Sequence, residues 1–107
     1  MPRYEQAVIP ISKLTKYALS PQSSPNKAKA FELALGYTAD NAHELLKNIL
    51  DNLHLHKATP KGDKGFGNTY EVRMKLTGPN GKKATVLTAW IDDAETGEVR
   101  LITLYVD

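Results

Sequence analysis

A chain of 107 residues with 14 basic and 12 acidic side chains carries a net charge of +2 and contains no cysteine. That length suits one domain around a single core, and the missing cysteines exclude disulfides, thiolate catalysis and every cysteine-based zinc site. So mild a net charge does not by itself announce a nucleic-acid binder.

The distribution of charge says more. Lys57, Lys61, Lys64, Arg73, Lys75, Lys82 and Lys83 are opposed only by Asp63 and Glu71, whereas the stretch 92–98 is acidic. The surface field is therefore expected to be polarised. No apolar run approaches the roughly 18 residues of a membrane span, and the first residues lack a signal peptide's apolar segment. The expectation is a soluble chain, cytoplasmic as it stands, with no membrane partner.

Residues 1–11 read as an arm or an incoming strand, apolar at Ala7–Ile11 but interrupted by Pro10. Ser12 can cap a short helix over 13–19 that buries Leu14, Tyr17 and Ala18. The next stretch, SPNKAKAFELALGYT over 24–38, has an ordered helix start: Ser24 as N-cap, Pro25 as first helical residue, Gly36 as C-terminal cap. Ala28, Phe31 and Leu35 recur at helical spacing and form a core face. Lys27 stands out because the first turn favours an anion over a cation, at a cost of ~0.3 to 1 kcal/mol unless something negative visits. It reads either as a solvated lysine or as a phosphate-facing one. A longer helix opens at Thr38–Asn41 and carries the stripe Leu45, Leu46, Ile49, Leu50 and Leu53, ending near His54. The helical part thus spans 12–56, and the lysine-rich and glycine-rich 57–67 reads as a connection with little regular structure.

From Asn68 the periodicity changes to alternation, the mark of a sheet. Tyr70, Val72, Met74 and Leu76 alternate with Glu71, Arg73 and Lys75, and Asn80-Gly81 signals a tight hairpin. Strands over 84–92 and 99–106 follow, joined by a second hairpin, so 68–106 reads as an antiparallel meander. Helices first and sheet second is the α+β class, with the helices packed on one sheet face. That packed face is assigned Tyr70, Val72, Leu87, Ala89, Ile102 and Leu104. The open face is assigned Glu71, Arg73, Lys75, Thr88, Trp90, Thr103 and Tyr105.

Such an open face suits single-stranded nucleic acid, with cations on phosphates and Trp90 and Tyr105 as stacking platforms. Lys61 and Lys64 in the basic stretch extend the phosphate footprint. RNA cleavage asks for a base near the ribose 2′-hydroxyl, a cation for the transition-state charge and a proton donor for the leaving oxygen. Lys27, Arg73 and Lys75 can serve as cations, and His54 and His56 as acid and base, since imidazole titrates near neutrality. Solvent-exposed histidines at a helix end are the plain alternative. His54 and His56 also have metal-ligand spacing but lack a third ligand, so no metal or other cofactor is expected. Gly65 and Gly67 lack the strand before and helix after that a phosphate loop needs.

The segments K-L-T-K-Y-A-L-S-P (13–21), K-A-K-A-F-E-L-A-L-G-Y-T (27–38), T-A-W-I-D (88–92) and L-I-T-L-Y (101–105) resemble a small bacterial domain of otherwise unknown function. That domain occurs free-standing and at the C-termini of filamentous-haemagglutinin-like and other polymorphic toxins. Such toxin tips are commonly similar to the barnase, EndoU, colicin and RelE group, in which N-terminal helices precede an antiparallel sheet bearing a metal-independent RNase site. The resemblance implies roles for Lys27, Thr88, Trp90, Thr103 and Tyr105; it supplies no histidine to match His54 or His56. It points to a ribonuclease toxin acting on tRNA or another structured RNA, delivered into a target-cell cytoplasm and opposed by an acidic immunity protein. The alternatives are a noncatalytic interaction module, as in an immunity or adaptor protein, and a nucleic-acid-binding domain without catalysis.

Overall fold

A computed structural model describes residues 3–63 and 65–107 of the chain; Lys64, one of the expected phosphate contacts, lies outside them. The fold is α+β. Its five strands are β1 (Ala7–Val8), β2 (Ala58–Asp63), β3 (Gly67–Thr77), β4 (Lys83–Asp93) and β5 (Val99–Val106), in the spatial order β1-β5-β4-β3-β2. Neighbours among β2 to β5 are antiparallel, while β1 adds a short parallel edge to β5 at Val99 and Arg100. The sheet is therefore mixed, and larger than the expected three-stranded meander.

Helix α1 (Pro25–Leu35) has the expected bounds, because proline at the first position and glycine beyond the last suit the two ends of a helix. Gly36 adopts φ 85°, and its N–H reaches back to the carbonyls of Glu32 and Phe31. Gly78, in the β3–β4 turn, presses against the same end: a Cβ there would lie 2.0 Å from the Leu35 carbonyl oxygen. Close approach of backbone to backbone thus fixes the end of α1 against the sheet. At the other end Ser24 accepts the Ala28 N–H through its carbonyl, and its side chain makes no cap bond. A 3-10 turn, Ala39–Asn41, capped reciprocally by Thr38 and Asn41, leads into helix α2 (Ala42–Asn52), and a second 3-10 turn, Leu53–Leu55, ends it.

One core lies between the helices and one sheet face. Phe31 and Leu35 of α1, Leu45 and Ile49 of α2, and Val72, Met74, Leu76, Val86, Trp90, Leu101 and Leu104 of the sheet are all buried in it. Helix α1 packs on β5 and β4, and α2 packs on β3.

Four expectations require correction. The segment at 13–19 forms a π-helical turn, Leu14–Ala18, in which Leu19 N–H bonds Leu14 O at 2.8 Å. Its wider turn keeps Leu14 and Ala18 inside but leaves Tyr17 56% exposed. Within the basic connection, Ala58–Asp63 pairs with β3 as the edge strand β2 despite Pro60 and Gly62. A proline is tolerated on an edge, and a register irregularity between Pro60 and Gly62 absorbs the misfit.

The other two corrections concern β4 and the Ala89–Trp90 irregularity beside it. Val72 lies opposite Thr88 and Met74 opposite Val86, so Val86, Thr88 and Trp90 face the helices. Leu87 and Ala89 belong to the opposite face. Both alternating sets of β4 contain apolar residues, so alternation alone left two phases, and pairing chose the other one. Finally, Ala89 pairs with Thr103 but Trp90 with Leu101, which leaves Ile102 as an unpaired residue off the expected packed face, 39% exposed.

Candidate functional site: a basic recess beside strand β5

Two expected residues far apart in the sequence meet directly. Lys27 Nζ donates to Thr103 Oγ1 at 3.2 Å, across 76 residues of chain. Each is placed by packing. Phe31 and Leu35 hold α1 on the sheet, which points its first turn at β5, and the extra residue at Ile102 breaks the alternation of β5 just before Thr103. Between them is a recess of about 230 Å³ lined by Lys13, Tyr17, Ser24, Lys27, Ile102 and Thr103, with Ala18 and Leu104 at its base.

The electrostatics of this recess are one-sided. Among the described residues neither Lys27 nor Lys13 belongs to an ion pair. Lys27 is bonded to a neutral hydroxyl, and the Lys13 ammonium stands 5.9 Å from the centre of the Tyr17 ring. No acidic residue occupies the first turn of α1, so the positive end of the helix dipole adds to the same field. Among the described residues this lysine charge has no carboxylate within ion-pair distance and lies next to a hydroxyl and unfilled space, a chemistry complementary to an anion.

The open sheet face is built differently. Arg73, Leu87 and Tyr105 lie in one row across β3, β4 and β5. Leu87 is only 3% exposed although it points away from the helix-side core. Arg73 Nε donates to Asp107 Oδ2 at 2.8 Å, and that hydrogen bond and charge push the guanidinium pKa above its ordinary value. Lys61 lies 3.6 Å from Glu71. Lys75 and Tyr105 are exposed on this face, but much of its positive charge is already answered.

The remaining expected site residues lie elsewhere. Thr88 and Trp90 are both 0% exposed. Trp90 Nε1 donates to Thr88 Oγ1, which donates to the Val72 carbonyl, each at 2.8 Å, so the pair is a satisfied polar relay in the core rather than a binding surface. His54 stacks on Tyr4, with ring centres 6.1 Å apart. His56 is held at both nitrogens: Nδ1 is 3.0 Å from the Asn52 carbonyl, and Nε2 accepts the Lys75 N–H at 3.4 Å. That places it along the part of the β3 edge that β2 leaves unpaired, where it does the work of an edge cap. Among the described residues no three His, Cys, Asp or Glu side chains gather as a metal site.

Asp93 is likewise committed to structure. It accepts the N–H groups of Glu95 and Thr96 and pairs with Arg100 at 2.5 Å, and the backbone donors first, then the arginine, hold its pKa below the usual carboxylate value. Neighbouring Asp92 pairs with Arg3.

Sequence reasoning named Lys27 and Thr103 but passed over Lys13, Tyr17 and Ser24. The available signal was the four-residue spacing of Lys13 and Tyr17 just before a turn that returns the chain to Lys27. Among the described residues, no helix is long and apolar enough to cross a membrane. Neither the curated proteins nor the solved structures yielded a match to the chain. A family model described as a domain of unknown function (DUF6883) matches residues 1–107, and the chain belongs to that family.

Proposed function

We propose that this domain is a metal-independent ribonuclease, acting on tRNA or another structured RNA as a toxin module in bacterial competition, with an acidic immunity protein as its natural inhibitor. The observation that carries the reading is the Lys27–Thr103 contact in a recess whose lysines have no carboxylate partner. Cleavage of RNA by its own 2′-oxygen makes a bond to phosphorus and breaks the bond to the 5′-oxygen, and negative charge gathers on the non-bridging oxygens between. A fixed ammonium at that position stabilises the transition state more than the ground state. Lys27 takes this role, Lys13 adds to the field, and Thr103 orients Lys27 while offering a hydroxyl to the phosphate. The proton of the attacking 2′-hydroxyl passes to solvent water, and the departing 5′-oxygen takes its proton from a donor of the recess, the Lys27 ammonium or the Tyr17 phenol, which water then reprotonates. His54 and His56, held by other contacts, are given no part in the reaction. The order of α1 and α2 before the antiparallel strands β2 to β5 supports the reading, since the group of RNases that the motifs resemble has helices before such strands.

The test is incubation of the purified protein with total tRNA in EDTA, alongside Lys27→Ala and Thr103→Val. Cleavage by the wild type and its loss in Lys27→Ala is the expected result; intact RNA with the wild type would overturn the proposal. A second reading, a noncatalytic docking module, is favoured by the open face, where half-buried Ala89 and Ile91 lie beside Glu71 and Arg100. It predicts expression without growth arrest. A nucleic-acid-binding domain without catalysis predicts salt-sensitive binding and no cleavage.

A further inference from the structure

We infer that the recess takes single-stranded RNA, with a phosphate on Lys27 and one unstacked base laid on the ring of Tyr17. This rests on the reading of the recess as an RNA site and adds its substrate class. Volume is the first argument. At about 230 Å³ the recess is smaller than the roughly 300 to 1,000 Å³ of sites that enclose a drug-sized ligand. It accommodates a phosphate and part of a ribose, and a base attached to them has to lie outside, at the rim.

Tyr17 is what the rim offers. It is 56% exposed on the π-helical turn, while Leu14 and Ala18 of the same turn are buried. The Lys13 ammonium stands over the ring at 5.9 Å from its centre, which keeps a cation beside the phosphates that flank a base stacked on the exposed ring. Ile102, also partly exposed, gives the recess an apolar wall. A base can lie on an aromatic ring only when it has left its own stack, so single strands, loops and bulges fit and continuous duplex does not. Stacking does not read base edges, so the preference among bases is weak.

The probe is a short fluorescein-labelled single-stranded oligodeoxynucleotide, which presents phosphates and bases but has no 2′-hydroxyl to attack, compared with the same strand in a duplex. Binding is followed by fluorescence anisotropy. Wild type and Tyr17→Phe are expected to bind the single strand alike and to bind duplex more weakly. Tyr17→Ala should bind the single strand roughly 5- to 150-fold more weakly, the range for loss of one base stack. Tyr17→Phe controls for folding, and thermal melts of all three proteins check it. Equal binding by Tyr17→Ala, equal binding of duplex, or no binding by the wild type each overturn the inference. The two proposals fail separately: binding that depends on Tyr17 without cleavage of tRNA removes only the catalytic reading, and cleavage with Tyr17→Ala binding as wild type removes only the stacking one.

Discussion

The recess beside β5 and the open face of β3, β4 and β5 both carry lysine, arginine, hydroxyl and aromatic groups, yet they differ in how their charges are answered. On the open face Arg73 is bonded to Asp107, and Lys61 lies near Glu71. In the recess, among the described residues, Lys27 is bonded to the Thr103 hydroxyl and Lys13 stands over the Tyr17 ring. Among the described residues, the open face answers Arg73 and Lys61 but leaves Lys75 without an ion pair, whereas in the recess neither lysine has one. Partner chemistry, not abundance, decides where an anion gains most.

The strongest way to break this comparison is to remove what holds the recess together. Phe31 is fully buried and fixes α1 on the sheet, so Phe31→Ala should cost about 3 to 5 kcal/mol in urea unfolding and disperse the site with the fold. Next comes the direct contrast. Lys27→Ala should lower tRNA cleavage by roughly 100- to 1,000-fold, the scale of losing one preorganised charge donor, while its unfolding free energy stays within about 1 kcal/mol of the wild type. Arg73→Ala, which removes a guanidinium already paired with Asp107, should change cleavage far less; equal losses in the two variants would erase the distinction.

Trp90→Phe tests whether β4 serves the core rather than the substrate. Loss of the indole N–H removes one bond to Thr88, and the smaller ring underfills its place, so stability should fall by about 1 to 3 kcal/mol with the cleavage rate of the folded protein unchanged. The smallest effect belongs to Asp93. Its pKa is lowered in the folded state, so the carboxylate contributes stability above its unfolded pKa of about 4 and loses that contribution as pH falls through the folded value. The stability gap between wild type and Asp93→Asn should be flat above about pH 5 and close on further acidification. A gap that widened with acid would contradict the clamp of Glu95, Thr96 and Arg100 around it.

The legible parts of the fold were those whose signals are local. Pro25 and Gly36 mark α1 because each suits one helix end for steric reasons that act within a few residues. The stripe on α2 and the turn at Asn80-Gly81 are equally local, and the structure has both. What misled were positions where two local solutions tie. In β4 either set of alternating residues could have met the helices. At 58–63 proline and glycine argued for a loop, yet the open edge of β3 could still recruit a strand, since ladder hydrogen bonds along an edge tolerate a proline facing outward. At Tyr17 a helical spacing predicted burial, and one additional residue in the turn turned the ring to solvent.

By itself, the sequence determined an α+β domain, the bounds of α1, the leucine stripe of α2 and the oddity of a lysine in a helix's first turn. Those features follow from dihedral preferences, periodicity and the helix dipole, all properties of neighbouring residues. Only the tertiary structure decided which face of β4 is buried, that Thr88 and Trp90 serve the core, that His56 caps a strand edge, and that Lys27 meets Thr103 beside Lys13 and Tyr17. Strand register, the unpaired residue at Ile102 and the packing of the helices on the sheet decide these, and all three depend on contacts between segments distant in the chain, where one step of strand slip exchanges the two faces.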